Sequence, residues 1–172
     1  MKMDKVAGSG NDEFYTPSYA VKPILKYVEK DKTVLCPFDT KESIFVKELK
    51  LHGCNVINSH LSEGEDFFNL DFKDVDYIIS NPPYSIKGDV FEKLFEIGKP
   101  FAMLVGVVGL FEGQKRFNMF KNNQFEVMYL NKRVAYFKDY KEQKPPLNPP
   151  FSSVYLCSKM LPKQIIFEEI EK

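Results

Sequence analysis

Short apolar segments alternate with amphipathic segments along this chain, and the alternation predicts an α/β protein. Short apolar runs bounded by turn-forming residues indicate buried strands, and apolar residues at helical spacing indicate helices between them. The predicted strands are residues 33–38, 54–58, 75–80, 101–108, 124–130 and 151–157. The predicted helices are residues 17–30, 41–52, 87–97 and 112–121. Apolar strands joined by helices favour a mostly parallel sheet with helices on both faces, and we expect the late strand to run antiparallel.

Capping residues and helix breakers set the expected boundaries. Thr16 and Pro17 fit the N-cap and first position of a helix. Pro23, inside that helix, predicts a later start or a kink. Gly53 and Gly98 are expected to end the second and third helices. After residue 160 the pattern allows a helix, an edge strand or an interface segment.

The length of 172 residues corresponds to about one domain. We expect a flexible arm at 1–12 and a single domain at 13–172, with a long proline-rich loop at 138–150 that clamps substrate or orders on binding. No apolar run is long enough to cross a bilayer, and the N-terminus lacks the apolar centre of a signal peptide. The expected location is therefore cytoplasmic, without a membrane partner.

Charge and cysteine content exclude some function classes. Lys plus Arg and Asp plus Glu are 24 each, which argues against a strongly basic nucleic-acid coat protein. A basic set at residues 115–133 fits phosphate contacts or ordinary solvated charge. The three cysteines are widely spaced in apolar segments, so we expect buried, reduced thiols. With only two histidines, no metal site is expected.

Asn81-Pro82-Pro83-Tyr84 follows the apolar strand 75–80 and carries the clearest chemistry. The prolines fix the backbone at the carboxyl end of a strand, where ligands bind in parallel sheets. The Asn81 side chain and the Pro82 carbonyl offer two acceptors to a planar NH2 group, and Tyr84 stacks on the ring that carries it. Holding both amine hydrogens frees the nitrogen lone pair for methyl transfer, so positioning supplies most of the rate. The alternative is a rigid surface turn, which the position after a buried strand makes the weaker interpretation.

With this motif the sequence resembles the S-adenosylmethionine-dependent amino methyltransferases, in particular small phage and prophage proteins similar to adenine-specific DNA methyltransferases. The resemblance spans about residues 12–157. It implies a Rossmann-like methyltransferase fold, S-adenosylmethionine as cofactor, and catalytic roles for Asn81, Pro82, Pro83 and Tyr84. The cofactor-binding residues that it implies are Tyr15, Thr16, Pro17, Cys36, Pro37, Asp39, Asn58, Ser59, Asp66 and Phe67.

Some of these residues have a second interpretation. In the resemblance, Asp66 contacts the adenine of the cofactor, but an ordinary loop carboxylate is an equal alternative. Phe67 is more often a core residue than a base-stacking one. Asp39 either bonds to the amino-acid end of the cofactor or caps the following helix.

Two departures from the family pattern concern the cofactor. Cys36 stands where the family carries an acid after its first strand, and residues 39–43 replace a glycine-rich turn. A turn without glycines is expected to bind the cofactor differently, weakly or not at all. Asn58 and Ser59 replace the acid that holds the ribose hydroxyls, and they bring hydrogen bonds without charge.

The predicted activity is methyl transfer to the exocyclic amino group of adenine in nucleic acid, with DNA favoured over RNA as the partner. The chain has no spare segment for target recognition, which suggests a partner subunit or a homo-oligomer. One alternative is a methyltransferase-fold binding module that has lost catalysis. Another is an amino methyltransferase that acts on RNA or on a protein glutamine.

Overall fold

The structure is a computed structural model that describes residues 15–137 and 150–172. The predicted arm at 1–12 lies outside the described residues, and so does the predicted loop at 138–150 apart from its last residue. Within the described residues, no helix combines the length and apolar character needed to cross a bilayer.

Four α-helices and seven strands, with three short 3-10 helices in the connections, make up the regular structure of the described residues. The helices are α1 (Ser18–Leu25), α2 (Ile44–His52), α3 (Lys87–Ile97) and α4 (Gln114–Lys121). The strands are β1 (Thr33–Cys36), β2 (Asn55–Asn58), β3 (Tyr77–Ser80), β4 (Phe101–Gly106), β5 (Glu126–Leu130), β6 (Ser153–Ser158) and β7 (Ile165–Glu168). Each predicted strand and helix has a counterpart here, so the α/β prediction is confirmed.

The strands form one sheet in the order β2-β1-β3-β4-β6-β5-β7. The first four run parallel, and β6 is antiparallel to both of its neighbours, β4 and β5. The late antiparallel strand is therefore confirmed. Residues after 160 form an edge strand, since β7 runs parallel to β5 at the end of the sheet.

Helices cover both faces of the sheet and divide the core into two clusters. One cluster joins α1 and α2 to alternate strand residues such as Val34, Cys36 and Ile79. The other joins α3 and α4 to the intervening residues, such as Leu35 and Ile78. This is the alternation expected for strands that are buried on both faces. The fold is a Rossmann-like α/β fold with a mostly parallel sheet and one late antiparallel strand.

The N-terminal helix differs from its prediction in two respects. Pro17, not Thr16, occupies the N-cap position, and no side chain caps the helix. The helix begins at Ser18 and contains Pro23, so the later start is wrong. Pro23 lies near the end of this short helix, where the missing backbone donor affects one turn only.

Other boundaries match the sequence. Gly53 and Gly98 adopt left-handed conformations with φ of 106° and 75° directly after α2 and α3, as the capping rule predicts. Cys36, Cys54 and Cys157 are buried and free. Burial raises the pKa of each thiol, so all three are poor nucleophiles.

Candidate functional site

The carboxyl ends of three neighbouring parallel strands meet at one edge of the sheet. Cys36 is in register with Asn58, and Leu35 with Ile78. The segments that leave β1 and β2 are joined by backbone hydrogen bonds, from Asp39 N–H to the Ser59 carbonyl at 3.0 Å and from Ser59 N–H to the Cys36 carbonyl at 3.1 Å. The edge therefore brings together the segments predicted to bind cofactor and substrate.

Asp39 connects two of these segments through its side chain. Its carboxylate accepts one hydrogen bond from Ser43 Oγ and another, at 2.5 Å, from Ser80 Oγ. Asp39, Ser43 and Ser80 are all buried. Ser43 occupies the N-cap position of α2, and Ser80 ends β3 directly before Asn81. The carboxylate thus fixes the backbone from which the Asn81 side chain projects.

The amide orientation of Asn81 is set from the N-terminal segment. Asn81 Nδ2 donates to Thr16 Oγ1 at 3.3 Å, which assigns the carboxamide oxygen to the acceptor role. Thr16 is buried, and its neighbour Tyr15 forms paired backbone hydrogen bonds with Phe137. The Thr16 hydroxyl is engaged by Asn81, which explains why it does not cap α1.

A small pocket, here called the Asn81 pocket, lies on one side of the Asn-Pro-Pro-Tyr motif. Its lining residues are Asn81, Pro82, Tyr84, Lys87, Val105, Gly106, Tyr136 and Phe151. The rings of Tyr84 and Phe151 lie 6.2 Å apart between centroids. A Cβ atom on Gly106 would come within 2.8 Å of the Phe151 ring, so only glycine allows this aromatic wall to form. Tyr136 is buried and its hydroxyl bonds to Ser153 Oγ at 2.7 Å.

Lys87 is the charged residue that lines the Asn81 pocket, and the sequence analysis did not identify it. Its ammonium donates to the Val108 carbonyl at 2.6 Å and to the Gly106 carbonyl at 3.3 Å. The ammonium also lies 4.6 Å from the centroid of the Tyr84 ring. Burial, with a smaller contribution from the nearby Arg116 guanidinium, lowers the pKa of Lys87 to about 8. Lys87 therefore connects the Tyr84 ring of the motif to the end of β4.

Because of this shifted pKa, the stability of the protein is expected to depend on pH. An unfolded Lys87 keeps its ordinary pKa, so the unfolded state binds more protons between pH 8 and that value. The free energy of unfolding of the native protein, relative to Lys87→Met, is expected to rise by about 3 kcal/mol as pH increases across this window. Urea denaturation at several pH values measures the difference. Lys50→Met, which changes an exposed lysine of α2, is the control, and a flat difference for Lys87→Met would refute the assignment.

A second pocket, here called the Asp66 pocket, lies on the other side of the motif. Its lining residues are Pro37, Phe38, His60, Leu61, Glu65, Asp66, Phe67, Phe68, Pro83 and Ile86. Asp66 Oδ1 accepts from Phe68 N–H at 3.0 Å. The Phe67 ring lies 5.2 Å from both Phe38 and Phe68 between centroids. An acid beside aromatic rings suits an adenine, whose amino group donates and whose ring stacks.

Both pockets are small. The cavity volumes are about 30 Å³ for the Asp66 pocket and about 20 Å³ for the Asn81 pocket, room for about one water molecule. Leu61 and Phe68 are 66% and 36% exposed. The Asp66 pocket is therefore lined in part by exposed apolar side chains.

The remaining predicted cofactor residues lie outside both pockets. The Cys36 side chain is fully buried in the core cluster of α1 and α2, so its thiol points away from the edge. Ser59 Oγ donates to the Pro37 carbonyl at 3.1 Å and ties β1 to β2. Asn58 ends β2, half-buried, and Pro17 is buried before α1. The basic residues at 115–133 are mostly exposed, although Lys115 pairs with Glu92 at 3.3 Å.

Metal ligands do not cluster in the part of the chain that the structure describes. No group of three His, Cys, Asp or Glu side chains comes together there.

Comparisons with known proteins support the fold. No protein-family profile matches the sequence, and no curated protein matches it. A solved structure that matches is that of a modification subunit of a putative type I restriction enzyme from Vibrio vulnificus YJ016, with a TM-score of 0.59 and 16% sequence identity. The match covers 99% of this chain and 49% of the other, so this chain spans about half the length of that subunit. At this identity the likeness establishes a shared fold.

Proposed function

We propose that this protein transfers a methyl group from S-adenosylmethionine to the exocyclic amino group of adenine in nucleic acid, DNA in the first place. The observation that carries the proposal is the position of the Asn-Pro-Pro-Tyr motif between two pockets. Pro83 lines the Asp66 pocket, whereas Asn81, Pro82 and Tyr84 line the Asn81 pocket. A methyl donor on one side and an amine on the other would meet at this motif.

The residues of the Asn81 pocket suit an aromatic amine. Asn81, oriented by Thr16, accepts one amine hydrogen through its carboxamide oxygen, and the Pro82 carbonyl accepts the other. Tyr84 supplies the aromatic contact to the base, and its ring is positioned by contacts with Lys87 and Phe151. An adenine inside a duplex reaches such a pocket only when it is flipped out of the helix.

The Asp66 pocket suits the adenosine half of the cofactor. The Asp66 carboxylate would accept from the adenine amino group, and Phe38, Phe67 and Phe68 would supply apolar contacts. When bound, S-adenosylmethionine supplies an electrophilic methyl group. In the turn at residues 39–43, the Asp39 carboxylate accepts hydrogen bonds from Ser43 and Ser80. Asp39 therefore fits the role of a residue that supports the site better than the role of a cofactor ligand.

Calorimetric titration with S-adenosylmethionine tests the cofactor site. Binding by the native protein is expected to weaken about tenfold in Asp66→Ala, because one hydrogen bond to the adenine is lost. Asp71→Ala is a matched control, since Asp71 also accepts from a backbone N–H two residues later, at 2.9 Å, but does not line the pocket. Equal losses in the two variants would place the adenine elsewhere.

The identity of the methyl acceptor is tested in a separate experiment. DNA, RNA and a glutamine-containing peptide are each incubated with the protein and methyl-labelled cofactor, and the digests are analysed for methyladenine and methylglutamine. We expect label in methyladenine from DNA. Label in RNA alone or in glutamine alone would keep the chemistry and change the substrate.

The comparison also bears on how the target is recognised. The matching structure belongs to a modification subunit of a restriction enzyme, and this chain covers about half of it. We propose that target recognition comes from a partner subunit or from a second copy of this chain.

A second candidate function is a binding module without catalysis. It is favoured by the turn at 39–43, which lacks glycines and directs its only buried carboxylate inward. Absence of heat in the titration, together with retained DNA binding, would select this candidate.

A further inference from the structure

The end of the sheet at β7 exposes apolar side chains. Ile165, Phe167 and the neighbouring Tyr129 of β5 are 56%, 71% and 52% exposed. The rings of Tyr129 and Phe167 contact each other, with centroids 5.6 Å apart, and no helix of the described residues packs over them. Exposed apolar side chains on an edge strand favour pairing with another strand.

Among the described residues, the backbone of β7 pairs with another strand, β5, on one side only. Val127 N–H donates to the Gln164 carbonyl at 2.7 Å, and Asn131 N–H donates to the Glu168 carbonyl at 3.2 Å. Backbone groups alternate in direction along a strand. The N–H and C=O groups of Ile165 and Phe167 therefore point to the open edge, away from β5.

The charges that flank β7 are self-complementary. Lys163 lies two residues before β7 and Glu169 lies directly after it, and both side chains are exposed. In an antiparallel pair of two β7 strands centred on Ile166, Lys163 lies opposite Glu169 of the second copy and Ile165 lies opposite its Phe167. This register also places the outward backbone groups of Ile165 and Phe167 opposite each other.

We propose that two copies of this chain form a symmetric dimer by antiparallel pairing of their β7 strands about a two-fold axis at Ile166. The dimer has one continuous sheet, two interchain Lys163–Glu169 ion pairs and two Ile165–Phe167 contacts. A two-fold axis makes each contact occur twice, so short complementary segments suffice. This proposal does not depend on the methyl-transfer proposal, since neither pocket contributes to it.

Sedimentation equilibrium of the native chain tests the dimer, and charge reversal tests its register. Lys163→Glu and Glu169→Lys each place like charges opposite each other in both pairs, and each is expected to raise the dimer dissociation constant at least about tenfold. An equimolar mixture of the two variants restores opposite charges in both pairs and is expected to form a heterodimer. The double variant K163E/E169K is expected to dimerise as the native protein does.

A separate variant tests the backbone pairing between the two β7 strands. Ile165→Pro removes an outward N–H while the β5 ladder keeps its bonds to the even-numbered residues, so it should give a folded monomer. Circular dichroism verifies the fold, and Lys50→Glu, at an exposed site on α2, is the charge control. A native chain that stays monomeric at about 0.5 mM would overturn the proposal, and so would a mixture of the two charge variants that fails to associate.

Discussion

Asn81→Ala is expected to lower kcat for methyl transfer about 10² to 10³-fold while leaving the affinity for S-adenosylmethionine unchanged. The variant removes the carboxamide oxygen that accepts an amine hydrogen. Loss of one preorganised hydrogen-bond partner of a reacting group typically has an effect of this size. Asn81 lines only the pocket opposite to Asp66, which is why binding of the cofactor is expected to survive.

A matched control separates this role from a general effect on the fold. Asn118 of α4 is an exposed carboxamide that accepts from Gln114 Nε2 at 3.0 Å, far along the chain from the motif. Asn118→Ala should retain native kcat. Single-turnover kinetics with saturating cofactor measures the chemical step itself. Native activity in Asn81→Ala would contradict the role given to the motif and leave Asn81 as a turn residue.

The positions of the helices and strands in this fold follow from local patterns in the sequence. Apolar runs such as 75–80 are long enough to predict strands, and Gly53 and Gly98 mark helix ends by a local conformational requirement. The motif was identifiable for the same reason, since Asn81 to Tyr84 are adjacent in sequence and follow a strand.

The parts of the site that the sequence did not predict depend on contacts between distant residues. Lys87 is an ordinary lysine at the start of a helix until the carbonyls of Gly106 and Val108 enclose its ammonium. Phe151 lines the Asn81 pocket only because β6 pairs with β4 and places its ring over Gly106. A local pattern carries no information about such pairings.

Cys36 illustrates a different limit. Every residue of β1 after Thr33 is buried, so the sequence does not reveal which side chains face α2 and which face α3. The resemblance placed Cys36 at the cofactor because of its position after a strand. The observed register turns its side chain into the core, and Asp39, three residues later, becomes the residue that organises the edge.

Asp39→Ala is expected to lower the free energy of unfolding by about 3 kcal/mol. The variant leaves the buried hydroxyls of Ser43 and Ser80 without their shared acceptor, and each unsatisfied buried donor costs about 1 to 3 kcal/mol. Urea denaturation measures the loss. Asp74→Ala, at an exposed carboxylate, should change stability by less than about 0.5 kcal/mol.

The same variants decide how a loss of cofactor binding should be interpreted. Because Asp39 supports the segment that precedes Asn81, Asp39→Ala would weaken binding even if the carboxylate never touched the cofactor. Asp39→Asn keeps the side-chain volume and one acceptor oxygen, so a supporting role predicts that it recovers part of both stability and binding. A variant with native stability and no cofactor binding would instead identify Asp39 as a direct ligand, and the turn at 39–43 as a cofactor site built without glycines.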